Sequence, residues 1–111
     1  MKNETKTATV VLDNHFNLEG QWAVGSRILQ VGEYRVRLSI RTDSHPDQAH
    51  AYAEVWSAAD LRWNRIYDVH HKEMKSPRDL GYSRDVVAAK REMEPDFTQV
   101  LAGAMLVLGV R

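Results

Sequence analysis

The chain is expected to be α+β: an antiparallel sheet of four or five strands in a meander, then two C-terminal helices packed on one face. Three observations lead there. Residues 33–43, EYRVRLSIRTD, alternate with period two, setting Tyr34, Val36, Leu38 and Ile40 against Arg35, Arg37, Ser39 and Arg41. Residues 49–56, AHAYAEVW, alternate in the same way, with Ala49, Ala51, Ala53 and Val55 against His50, Tyr52, Glu54 and Trp56. Beyond residue 76 the apolar spacing becomes helical, and these helices follow the strands instead of alternating with them. That order argues against a parallel sheet.

The register of the central strands follows from the pattern, because a one-residue slip would turn every side chain over. Pairing Arg37 with Glu54 sets Val36 opposite Val55, Leu38 opposite Ala53 and Ile40 opposite Ala51, so large meets small. Residues 57–60 form a turn into a third strand, LRWNRIYDV at 61–69. Pairing Glu54 with Arg62 then sets Val55 opposite Leu61 and Ala53 opposite Trp63. Leu61, Trp63 and Tyr67 join the inner face, and Arg65 is its one misfit. A competing register sets Trp56 against Leu61 and Glu54 against Trp63, burying an aromatic face and exposing the alanines.

Ahead of these strands, residues 1–6 are polar and expected to be a disordered tail. TATVVL (7–12) is β-branched and reads as a strand, so the sheet is expected to occupy 7–69. Asp13 and Asn14 read as a turn. In HFNLEGQWAVG (15–25), Trp22 reads as a core plug between Gly20 and Gly25. SRILQV (26–31) is a further strand, ended by Gly32. Asp43, Ser44, His45, Pro46 and Asp47 form the turn between the two alternating strands.

The helices are expected within 76–110. Ser76 and Pro77 are a cap and first-turn pair, with Ser83 as the other candidate start. Tyr82, Val86, Ala89 and Met93 share one helical face. Pro95 disfavours helix at Glu94 and so is expected to end the first helix and open a second, with Asp96 near its positive end. From Val100 to Val110 every residue is apolar or glycine. A helix apolar all round is buried all round. One sheet covers one side, so Phe97, Leu101, Ala104, Met105 and Leu108 are read as a homodimer interface.

At 111 residues the chain is a single domain, 1–111, with one core. Fifteen Lys and Arg balance fifteen Asp and Glu, which disfavours a protein that coats nucleic acid or anionic membrane. There is no cysteine, so disulfides, thiolate zinc sites and cysteine nucleophiles are excluded, and a cytoplasmic location fits. No apolar leader opens the chain, so no signal peptide is expected. The apolar run at 100–110 falls well short of the roughly 20 residues that span a bilayer, so no membrane partner is expected.

No catalytic constellation emerges: nucleophile elbows, phosphate loops and dinucleotide fingerprints are all absent. The chain therefore reads as a small non-enzymatic binding or adaptor protein without a cofactor, self-associating through its last helix, with a protein partner in view. Its binding face would hold Arg35, Arg37, Arg41, Tyr52, Trp56 and Arg62. The alternative is a nucleic-acid-binding module using that face, since guanidinium groups contact phosphates and aromatics stack bases. A third reading is a histidine-based metal-dependent enzyme drawing on His50, Asp68 and His70, although no recognised metal spacing is present.

Overall fold

The computed structural model describes residues 8–19, 22–43, 48–75 and 86–110. Five strands form one antiparallel sheet in chain order: β1 (Thr9–Glu19), β2 (Trp22–Val31), β3 (Tyr34–Asp43), β4 (His50–Ser57) and β5 (Arg62–Val69). A 3-10 turn at His71–Glu73 leaves the sheet, and one long helix, α1 (Val86–Leu108), packs on one face. The meander expected from the alternating strands is present. The tail at 1–6, the turn residues 44–47 and both candidate helix starts, Ser76 and Ser83, lie outside the described residues.

Among the described residues the C-terminal part is one helix, not two. Pro95 lies inside α1 without ending it. An interior proline removes one backbone hydrogen bond and crowds the carbonyl one turn earlier, at a cost of about 3 kcal/mol. Pro95 and Arg91 both face solvent, where water can take over the freed carbonyl. On the opposite side Ala89, Met93, Phe97, Val100 and Ala104 form one unbroken buried stripe across the proline. Burying Met93, Phe97 and Val100 is worth about 1.5–3 kcal/mol each, which outweighs the local defect. Asp96 is not a capping residue: it is buried, and its Oδ1 accepts the backbone N–H of Lys75, tying the exit from the sheet to the helix.

Two bulges set which side chains face the helix. In β1, Val11 pairs with Leu29 and Asp13 with Ile28, leaving Leu12 as the extra residue. Asp13 and Asn14 are therefore part of a strand and do not form a turn. The bulge brings Phe16 opposite Gly25 and Leu18 opposite Ala23, on the helix side. In β5, Ala53 pairs with Tyr67 but Glu54 with Arg65, leaving Ile66 extra. Tyr67 and Val69 thus face the helix, while Trp63 faces the other way. The central register is as expected, with Arg37 opposite Glu54, Leu38 opposite Ala53 and Ile40 opposite Ala51. The β4–β5 register matches neither expectation: Trp56 pairs with Trp63, and residues 58–61 form the loop. Leu61 is 75% exposed, with a positive φ of 56°, instead of lying on the inner face.

The core consists of medium and small side chains. Val31, Val36, Leu38, Ile40, Ala51 and Ala53 from the sheet meet Ala89, Met93, Phe97, Val100 and Ala104 from α1. Two glycines mark the closest approaches. A Cβ on Gly25 would press on Met93 and Phe97, and one on Gly103 would overlap the Tyr67 ring. Gly103→Ala is therefore predicted to reverse the usual sign. An interior helical glycine normally costs about 1 kcal/mol relative to alanine. Here the added methyl should destabilise by about 1–3 kcal/mol through overpacking against Tyr67, as chemical denaturation would measure.

Candidate binding face of the sheet

The face opposite α1 is not covered by any element among the described residues. Strand parity assembles it. Arg35, Arg37, Ser39 and Arg41 of β3 lie beside Gln30, Ile28, Ser26 and Val24 of β2. On the other side they meet Glu54, Tyr52 and His50 of β4. All three tryptophans of the chain stand on this face. Trp22 shares the parity of Val24, and Trp56 and Trp63 are direct cross-strand partners. Trp22 is therefore not a core plug; its neighbour Ala23 fills that place, fully buried.

Guanidinium groups and rings interleave across the face. Arg37 lies 4.5 Å over the Trp63 ring, and its Nε donates to Glu54 Oε1 at 2.8 Å. Arg41 lies 4.4 Å over Trp22, and Arg65 lies 3.7 Å over Tyr52. Arg65 also donates to Asp68 Oδ1 at 3.2 Å. Trp56 and Trp63 meet edge to face at 5.5 Å, and His50 stacks on Tyr52 at 5.6 Å. Each guanidinium–ring contact contributes about 0.5–1 kcal/mol at such partly exposed sites. The stacking holds long arginine side chains flat against the sheet, so a ligand would meet ordered planes. Between β2, β3 and β4 these groups border a shallow hollow of about 230 Å³ lined by Ser26, Ser39, Arg41, His50 and Tyr52.

The structure brings five of the six expected face residues together: Arg35, Arg37, Arg41, Tyr52 and Trp56. Arg62 is the exception. It pairs with Ser57, on the parity opposite to Trp56 and Trp63, and its Nε donates to Asn64 Oδ1 at 3.1 Å. Arg65, the misfit of the sequence pattern, takes that place because of the bulge. Trp22 and Trp63, which the sequence pattern places in the core, belong to this face. The parity break between Thr9 and Val11 on one side and Phe16 and Leu18 on the other signals the β1 bulge. Arg65 is the corresponding signal in β5.

The expected oligomer surface also changes. Phe97 and Ala104 are buried against the sheet within one chain, at 5% and 0% exposure, and belong to its own core. Leu101, Met105 and Leu108 are half-buried against the same core. Between 97 and 108 the apolar residues left outside are Ala102, Leu106 and Val107, with Leu106 at 82%. Among the described residues no three His, Asp or Glu side chains gather to hold a metal ion, so His50, Asp68 and His70 do not form such a group. Among those residues, too, no helix is long and apolar enough to cross a membrane. Comparison with known proteins finds no match: no family model fits the chain, and no curated protein and no solved structure is similar to it.

His50 reports on the electrostatics of this face. Its ring is partly desolvated by the neighbouring strands, and Arg41 adds positive charge, so its pKa lies below 6.5. At this site the unfolded chain then binds more protons than the folded chain, so stability falls as pH drops from 6.5 toward the lower folded value. Proton NMR titration should find the His50 midpoint below that of a free histidine. Arg41→Ala should move it upward, with desolvation still holding part of the shift.

Proposed function

We propose that the protein is a small non-enzymatic binding module whose partner is another protein, docked on the open face of the sheet. The observation that supports this reading is the gathering of all three tryptophans with Tyr52, Arg37, Arg41 and Arg65 on a face with no cover among the described residues. Trp, Tyr and Arg are the residues that carry most of the energy at protein interfaces. Rings packed under guanidinium groups lose little conformational freedom on docking, which lowers the cost of association.

Charge favours a protein over a nucleic acid. Two of the arginines already face carboxylates, Arg37 with Glu54 and Arg65 with Asp68. The chain as a whole is neutral. Nucleic-acid affinity depends on cations free to replace counterions on phosphates. Self-association through the end of α1 belongs to the same reading, with Leu106 and Val107 as its contacts in place of Phe97 and Ala104.

Peptides selected from a displayed library against the folded protein test the docking face. They should perturb the indole N–H signals of Trp22, Trp56 and Trp63 and lose affinity for Trp63→Ala. Light scattering should show a dimer that Leu106→Glu converts to monomer. Peptides that map only to α1 would contradict the docking face. So would short single strands that bind with a steep salt dependence and lose binding in Arg35→Ala/Arg41→Ala. A monomeric wild type would remove the self-association part alone.

A further inference from the structure

A second cavity lies on the other side of the sheet, where the first turns of α1 pass over the β1–β2 hairpin. It has a volume of about 180 Å³. Phe16, Met93 and Phe97 supply its apolar lining, and Arg27, Lys90 and Glu94 supply its charges. Cavities of about 150 Å³ with apolar walls take up a benzene ring. The space therefore suits one six-membered ring with a small substituent.

The charges choose the substituent. Arg27 is 17% exposed and is held from three sides. Its Nε donates to Asn14 Oδ1 at 3.2 Å, its guanidinium lies 4.1 Å over the Phe97 ring, and its two terminal nitrogens grip the Glu94 carboxylate. Glu94 is 51% exposed, on the solvent side of a helix. The cation is fixed, whereas its carboxylate partner is free to swing into water. Lys90 sits one turn before Glu94, with its ammonium 6.0 Å from the Phe16 ring. Counting Arg27, Lys90 and Glu94, the pocket carries one net positive charge, and Glu94 occupies the position that an incoming carboxylate would take. The Arg27 hydrogen bond holds the Glu94 carboxyl below its usual 4.5, so Glu94 is ionised and competes throughout the neutral range.

We propose that this cavity is a binding site for a small aromatic carboxylate, whose ring rests against Phe16 and the edge of Phe97, over the buried Met93, and whose carboxylate displaces Glu94 from Arg27 and is bridged by Lys90. The bidentate fork that Arg27 now offers Glu94 is the geometry that recognises a free carboxylate. This site is separate from the open face and stands or falls independently of it.

NMR titration of the full chain with benzoate tests the proposal, with benzylamine as the cation of the same shape. Benzoate should shift the Met93 methyl and the Phe16 and Phe97 ring signals saturably, and benzylamine should not. Lys90→Ala, an exposed change, should weaken benzoate binding by about fivefold, as expected for one partly solvated charge contact. Glu94→Gln removes the internal competitor and should tighten binding by a similar factor, an effect that a merely structural Glu94 would not produce. The proposal is overturned if benzoate leaves those signals unmoved, if benzylamine shifts them equally, or if Glu94→Gln binds benzoate no better than the wild type. Spectra of both variants without ligand should overlay on the wild type away from the pocket, which keeps the comparison one of binding.

Discussion

The close approach of α1 to the sheet is the constraint on which the rest of the architecture depends. It is made by residues with little or no side chain: Ala51, Ala53 and Gly25 from the strands, and Ala89, Gly103 and Ala104 from the helix. Leu38, Ile40, Val36, Met93 and Val100 fill the remaining space and are almost wholly buried. A close-packed seam of this kind favours small and medium fillers over an indole ring. The three tryptophans are therefore placed on the opposite face, and the bulge in β5 is the device that turns Trp63 there. The composition of the candidate binding face is in this sense a consequence of how the core is packed.

That face is then organised by its own contacts. Arginines on β3 alternate with Leu38 and Ile40 for the simple reason that strand side chains alternate. Set against rings on the neighbouring strands, they form guanidinium–aromatic pairs, and Glu54 and Asp68 neutralise two of them. The result is a broad, ordered and nearly neutral surface. Such a surface suits recognition by shape and stacking more than attraction at a distance. The cavity beside Arg27 is built from larger side chains, Phe16, Met93 and Phe97, with Arg27, Lys90 and Glu94 beside them.

Much of this could be read from residue order. The pairs Arg37 with Glu54 and Leu38 with Ala53 follow from alternation alone, and the meander follows from the short turns between strands. The face shared by Arg35, Arg37, Arg41, Tyr52 and Trp56 was legible for the same reason. Trp22 and Trp63 were misplaced because hydrophobicity favours the interior for an indole, whereas the space beneath the helix decides against it. Arg62 was misplaced by the bulge, which inverts every parity argument beyond it, and Arg65 standing among apolar positions was the mark it left. Pro95 misled through its local preference: a stripe of buried residues on both sides of a proline can outweigh the lost hydrogen bond. The division of 97–108 into buried and outward residues depended on where the sheet lies, which spacing alone does not contain.

Nuclear Overhauser contacts between side chains test the central claim most directly. The account predicts contacts from the methyl groups of Leu38, Ile40, Ala51 and Ala53 to those of Val100 and Ala104, and none from the indole rings of Trp22, Trp56 and Trp63 to any residue of α1. Indole protons close to Val100 or Ala104 would contradict it, since they would place a ring in the seam that these small and medium residues fill.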